Sequence, residues 1–447
     1  MAAMAALAMA GTPAGAGLRN AIPDWTLLGE GMSGYLGLNA DRAGDVNGDG
    51  FADIVMLEGG GGRALLFLGS ASGPEMSPAW TFEASQAQAW ISAAGSAGDV
   101  NGDGFDDVLV GTHGFSNGEL FEGRAWHFLG SPSGPGTTPA WTAESNRANS
   151  RFGVPVGAAG DVNGDGYDDI LVGATLWSNP ERNERAAFVY YGSAYGLPAS
   201  ASFVFETNQA GALAGRGLGA GDMDGDGFDD VLVGALSYDY DEMDEGIAFL
   251  LHASPGGLSA SNVTILEVDT AGLTLFATQV ASAGDVNGDG LDDVVCNQTS
   301  SDRVYLFLGP ISGAVESTPD LILTPDGPPE SNPSLDPSWF GVEHLSRGGD
   351  VNGDGYGDVI IGESGFGENL GRVHVYLGSA TGLITTPAEV LHGRKARSKF
   401  GFAASSAGDV NGDGLDDVVV GAPFWNALQV FGAGRVELYF GSAALAP

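Results

Sequence analysis

Seven copies of a nine-residue acidic loop recur along this chain, beginning at Asp45, Asp99, Asp161, Asp222, Asp285, Asp350 and Asp409. They read DVNGDGFAD, DVNGDGFDD, DVNGDGYDD, DMDGDGFDD, DVNGDGLDD, DVNGDGYGD and DVNGDGLDD, and successive starts lie 54, 62, 61, 63, 65 and 59 residues apart. Repeats this long and this regular imply one modular architecture, in which each unit buries its apolar face against its neighbours. No break in composition marks a linker, so a single domain over 21–447 is expected rather than several. Residues 1–20 are rich in Ala, Gly and Met and carry Arg19 but no basic segment ahead of an apolar core. They read as a flexible leader or a remnant of processing or cloning, not as a signal peptide or a membrane span.

Each loop is followed by a short apolar run, from Ile54-Val55-Met56 in the first repeat to Val418-Val419-Val420 in the last. Runs this short, bounded by loops, fit strands better than helices. A second run follows, such as Ala64 to Leu68 or Val436 to Phe440, and in six of the seven repeats it ends at a glycine. A third carries proline and a large apolar residue, as in Pro78-Ala79-Trp80-Thr81 and Pro139-Ala140-Trp141-Thr142. Proline suits an outermost strand, where a missing backbone donor is tolerable. The Gly- and Ala-rich segments that run into the loops, Ser92 to Gly98 or Val154 to Gly160, suit a crowded inner ring. The 74 glycines also weigh against long helices, since each costs about 1 kcal/mol relative to alanine.

The fold class that follows is all-β: a seven-bladed β-propeller with four antiparallel strands per blade. After Val436 to Phe440 no further proline-aromatic segment remains; its equivalent is Ile22-Pro23-Asp24-Trp25-Thr26 at the other end. An N-terminal strand is therefore expected to complete the last blade, and closure removes the exposed edges of an open array.

Hard oxygen donors at loop positions 1, 3, 5 and 9, with the backbone carbonyl of position 7, match the alternating ligand pattern of Ca2+. The candidate ligands are Asp45, Asn47, Asp49, Phe51 and Asp53; Asp99, Asn101, Asp103, Phe105 and Asp107; Asp161, Asn163, Asp165, Tyr167 and Asp169; and Asp222, Asp224, Asp226, Phe228 and Asp230. The remaining three loops offer Asp285, Asn287, Asp289, Leu291 and Asp293; Asp350, Asn352, Asp354, Tyr356 and Asp358; and Asp409, Asn411, Asp413, Leu415 and Asp417. Up to seven Ca2+ ions, one per blade, are expected. Magnesium suits such loops less well because it dehydrates reluctantly, and no His/Cys cluster favours zinc or copper. An EF-hand would need an acidic ligand at position 12, where Met56, Val110, Val172, Val233, Cys296, Ile361 and Val420 stand instead.

The loops hold 27 of the 57 acidic residues, and seven divalent ions would reduce the formal charge from -40 to -26. That remains repulsive to nucleic acid and to anionic lipid, so neither nucleic-acid binding nor direct membrane insertion is expected. Cys296, the only cysteine, lies in an apolar run and reads as a small buried side chain.

The chain also resembles the FG-GAP repeat proteins of the integrin alpha-subunit propeller type. The marks are Phe152-Gly153 before the third loop, Trp339-Phe340-Gly341 before the sixth, and Phe400-Gly401 with Gly421-Ala422-Pro423 around the seventh. Other copies depart from the pattern: Phe276 precedes Ala277, and Trp90-Ile91 stands where the second mark would fall. The resemblance covers roughly 22–447. It implies acidic loops between the first and second strands of each blade, ions that are mainly structural, and an extracellular or cell-surface location.

Loops that vary on a fixed scaffold are the better place to look for recognition. Thr112 to Gly123, Leu176 to Arg185, Ser237 to Glu245, Gly365 to Gly371, Pro423 to Gly434 and the long Thr324 to Ser338 connection vary in length and sequence. In a propeller they emerge on the face away from the acidic loops. Trp177, Arg182, Tyr238, Tyr240, Phe366, Phe424 and Trp425 are candidate contacts, and Asp239, Asp241, Glu242, Asp244 and Glu245 form a separate acidic patch. The expected role is a calcium-stabilised recognition or adhesion module binding an extracellular protein or carbohydrate. The alternatives are a propeller enzyme acting on a polysaccharide or other extracellular substrate, and a purely structural module. The six histidines show no compact metal spacing or nucleophile motif, and His127 and His374 read as corresponding strand positions with structural roles.

Overall fold

The computed structural model describes residues 22–29, 33–59, 62–86, 89–268, 274–325, 339–427 and 430–445. The expected leader over 1–20 and most of the Thr324 to Ser338 connection lie outside them.

Every acidic loop ends in a strand that is buried along its whole length, Asp53–Glu58 in the first repeat and Asp417–Gly421 in the last. Such a strand is apolar on both faces because it is covered on both, which accounts for the continuous Val/Ile/Leu runs. In the first blade it pairs on one side with Leu36–Gly44 and on the other with Arg63–Phe67, which in turn pairs with Trp80–Glu83. The same antiparallel order recurs in seven sheets. The last is completed by Trp25–Leu28, which pairs with Arg435–Tyr439 as the sequence implies.

The innermost strands pack on one another around an axis. Leu36–Gly44 touches both Ile91–Gly98 and Ala403–Gly408, so the ring is closed. The apolar core is correspondingly divided into seven wedges, each between adjacent blades. Trp25 and Leu27 of the closing strand belong to the wedge shared by the last and first blades, where Trp25 meets the Phe67 ring edge-on at 5.5 Å. Cys296 is buried, and burial pushes its thiol pKa up.

Two details depart from expectation. The sheet of the fourth blade has a fifth strand: Val315–Glu316, from the fifth repeat, pairs in parallel with Val263–Leu266 and straps two blades together. His127 and His374 are not equivalent. His127 sits opposite Leu109, at loop position 11, whereas His374 sits opposite Ile361, at position 12, so the two side chains leave opposite faces of their blades. Both are structural even so: His127 Nε2 lies 3.0 Å from the Asp107 carboxylate and His374 Nε2 lies 2.8 Å from that of Glu363. Among the described residues no helix is long and apolar enough to cross a membrane.

Candidate metal centres and the variable loop face

Each acidic loop winds around its own first carboxylate. In the first loop Asp45 Oδ1 accepts the N–H groups of Gly48 and Asp49 at 2.7 and 3.1 Å, and Oδ2 accepts that of Gly50 at 2.8 Å. Asn47 Oδ1 accepts from the Asp49 backbone and Asp49 Oδ1 from the Phe51 backbone, each at 3.1 Å. The pattern turns the side chains of positions 1, 3 and 5 toward one point. In the fourth loop, where all three are carboxylates, one oxygen each of Asp222, Asp224 and Asp226 falls within 4.8 Å of the others. Position 2, a valine or Met223, is buried in all seven loops and anchors the turn.

Position 9 is the first residue of the second strand and is buried in all seven copies: Asp53, Asp107, Asp169, Asp230, Asp293, Asp358 and Asp417. Its Oδ1 accepts the backbone N–H at the end of the third strand, from Gly69, Gly130, Gly192, Ala253, Gly309, Gly378 or Gly441, at 2.7 to 2.9 Å. Six of these donors are glycine because a side chain there would collide with the loop, a Cβ at Gly69 standing 2.4 Å from the Ala52 carbonyl oxygen. Burial pushes the Asp53, Asp169, Asp293 and Asp358 carboxyls up to about 7 and Asp417 up to about 8. The backbone donors oppose the rise and the carboxylates of positions 1 and 5 add to it. Buried carboxyls crowded by like charges are what a hard dication offsets, and the loops' own donors at positions 1, 3, 5, 7 and 9 are all oxygen. The residues present therefore fit Ca2+.

The loops are also joined to one another, which the sequence did not disclose. The N–H of position 8 donates to the carbonyl of position 1 in the preceding loop, from Asp106 to Asp45 at 3.1 Å and onward to Asp416 to Asp350 at 3.0 Å. Ala52 to Asp409, at 2.9 Å, closes the circuit. Where position 8 is an aspartate its carboxylate adds a second link: Asp106, Asp168, Asp229 and Asp416 accept the position-1 N–H of the loop before. The position-7 side chain lies over the position-4 glycine of the preceding loop, Phe105 over Gly48 and Phe51 over Gly412. The available signal was the Asp-Asp pair at positions 8 and 9 of five loops.

Gly48 has φ +71°, and a Cβ there would stand 2.6 Å from the Phe105 ring. Gly48→Ala should cost about 2 kcal/mol, from backbone strain and overpacking together. In a double-mutant cycle Phe105→Ala should recover about 1 kcal/mol of that. Additive losses in urea melts would show that the two loops are not in contact.

The opposite face carries the connections between second and third strands and those between blades. Most of the aromatic residues expected to make contacts there are instead packed: Trp177 against Phe188 at 5.2 Å with Arg147 over its ring at 4.4 Å, and Tyr238 against Phe249 at 5.3 Å. Phe366 lies under Arg372 and Trp425 under Arg435, at 4.0 and 4.5 Å. Tyr240 and Phe424 do reach solvent, joined by Trp90, Leu120, Met243 and Phe431, none of which the sequence singled out as contacts. Trp90 is stacked 5.7 Å from His113 and half exposed beside a cleft of 90 Å³ lined also by Phe121, Asn149, Arg151 and Leu176. Of the acidic patch, Glu245 is buried and accepts the Tyr240 and Asp241 N–H groups at 2.7 and 2.8 Å, so it shapes its own loop. Eight of the 17 Lys and Arg residues lie in connections on this face, at positions 147, 151, 182, 185, 394, 395, 397 and 399.

Comparison with known proteins agrees with this architecture. An FG-GAP-like repeat matches residues 45–110, and the FG-GAP repeat matches 93–128, 154–191, 346–376 and 400–439. Integrin alpha-PS2 of Drosophila melanogaster is 36% identical over 157 residues, 32% of this chain and 11% of that protein. Integrin alpha-V of Gallus gallus is 32% identical over 217 residues, 46% of this chain and 20% of that protein. The matched stretches thus span no more than a fifth of either relative. Among solved structures, BBS1N in complex with ARL6DN, soaked with mercury, superposes with a TM-score of 0.51 at 10% identity. It covers 95% of this chain and 98% of that one, a likeness of fold alone. The repeats, the ring they close and the relatives that share their sequence pattern support an FG-GAP, integrin alpha-like family for this β-propeller.

Proposed function

We propose that the chain is a calcium-stabilised recognition or adhesion propeller, working outside the cell or at its surface, that binds a protein or carbohydrate through the face opposite its acidic loops. The six loops with asparagine at position 3 would each hold one Ca2+ through side-chain oxygens at positions 1, 3, 5 and 9 and the carbonyl at position 7, as a structural ion. The observation that carries the reading is the unequal division of side chains between the two faces. Trp90, Leu120, Tyr240, Met243, Phe424 and Phe431 are exposed in the variable connections, whereas the described segments at the acidic face expose three large hydrophobics, Ile22, Tyr195 and Val315. Exposed aromatics rimmed by polar groups are the usual anchors of a recognition surface. The kinship with integrin alpha chains favours the same role.

The test is a panel of glycans and extracellular proteins, screened with Ca2+ and again with chelator. A partner should bind with Ca2+, and Trp90→Ala, with Tyr240→Ala and Phe424→Ala, should weaken it by about 2 kcal/mol at the anchoring position with melting unchanged. Binding that survives all three substitutions would place recognition elsewhere on the molecule.

A further inference from the structure

The fourth loop differs from the others in two ways that meet at one point. It alone has aspartate, Asp224, at position 3 where six loops have asparagine. In the same blade the residue just before the N–H donor to position 9 is His252, where the other blades have Leu68, Leu129, Tyr191, Leu308, Leu377 and Phe440. His252 is 28 residues beyond Asp224, a separation at which no linear metal motif shows.

The hydrogen bonds around the ring fix its tautomer. Thr264 Oγ1 donates its proton to the Gly313 carbonyl at 2.6 Å, so toward His252 Nε2, 2.8 Å away, it accepts. Nε2 therefore carries a hydrogen, and in the neutral ring Nδ1 holds a free lone pair. His252 is only 5% exposed, and no hydrogen-bond donor reaches its buried Nδ1. It points at two carboxylates, 3.1 Å from Asp224 Oδ2 and 3.5 Å from Asp230 Oδ2, and all three donor atoms lie within 4.8 Å of one another. A ring nitrogen whose other N–H is held by a fixed acceptor is the usual arrangement of a metal-binding histidine. Imidazole nitrogen is a poor partner for Ca2+ and a good one for first-row transition metals.

We propose that the fourth loop is a mixed nitrogen-oxygen site that takes a transition-metal dication, with His252 Nδ1, Asp224 and Asp230 as ligands, in a ring whose other six loops have asparagine at position 3, the second included, where His127 meets Asp107 alone. The inference borrows from the calcium reading only the contrast with those six loops. The rival account is a protonated His252 that pairs with Asp224 and takes no metal.

The probe is Co2+, added to the full chain in millimolar Ca2+ and followed by its visible absorption and by equilibrium dialysis. One Co2+ per chain should bind without displacement by Ca2+. His252→Leu installs the residue found at this place in four other blades and should weaken Co2+ uptake by about 100-fold or more, beyond the usual loss of an outer contact. Asp224→Asn restores the sequence of the other loops and should weaken Co2+ in the same direction, which keeps the test open should His252→Leu fold poorly. Absence of uptake above Ca2+ competition, or equal uptake by wild type and either folded variant, would overturn the proposal. If Co2+ binds through His252 while Ca2+ leaves the melt unmoved, the calcium reading fails and this one stands.

Discussion

Chelation of divalent cations should lower the melting temperature by on the order of 20 °C or more, with recovery on adding Ca2+ and a weaker recovery on adding Mg2+. A site held at a hundred times its dissociation constant stabilises the folded state by about 2.7 kcal/mol. Seven candidate sites make the aggregate large against the ~5–15 kcal/mol by which domains are ordinarily stable. The physical cause lies at position 9, where Asp53 and its equivalents are fully buried and crowded by the carboxylates of positions 1 and 5. The effect should depend on depth. Asp49 is exposed, and Asp49→Ala should weaken one site. Asp53→Ala should cost more, because it also strands the Val46 and Gly69 N–H groups that the carboxylate accepts at 2.9 and 2.8 Å, about 1–3 kcal/mol each. Calorimetry with and without chelator decides it: an unchanged melt after complete ion removal would end the structural role assigned to the ions.

Loss of the closing strand should be the most damaging single change. Trp25→Ala empties part of the wedge between the last and first blades, where the indole meets Phe67, and should cost about 3–5 kcal/mol. Deleting residues 22–28 goes further. It bares the edge of Arg435–Tyr439, an unpaired row of backbone donors and acceptors able to recruit another chain. The expected product is an oligomer or aggregate on size-exclusion chromatography. A stable monomer with an unshifted melt would show that the ring does not need its clasp.

Much of this architecture was legible in the sequence because it is repeated. Spacing gave the blade count, the proline before Trp80 or Trp141 identified the outer strand, and the misplaced copy around Trp25 gave the closure. What escaped was set by contacts between segments far apart. Nothing local at Phe105 says that its ring covers Gly48 of another loop, and nothing near Asp224 announces His252. Val315–Glu316 is too short to carry a periodic signal and takes its place by pairing with Val263–Leu266. The histidine comparison failed by one residue, which in a strand reverses the face. The candidate recognition residues show the same limit. Trp177 faces inward because Phe188 and Arg147 receive it, whereas Trp90 stays half exposed beside His113. A loop aromatic does not declare in its own sequence which of these it will do.

The bond from Ala52 to the Asp409 carbonyl has a mechanical meaning. A linear row of repeats has two ends, each held by one seam, and can peel from either. Here the last loop is tied to the first, so no blade is terminal. To pull any blade from the disc, two seams must part together, with the apolar wedge behind each. Under tension such a disc should resist as a whole and then yield in a step larger than one repeat, because a circle offers no end at which fraying can begin.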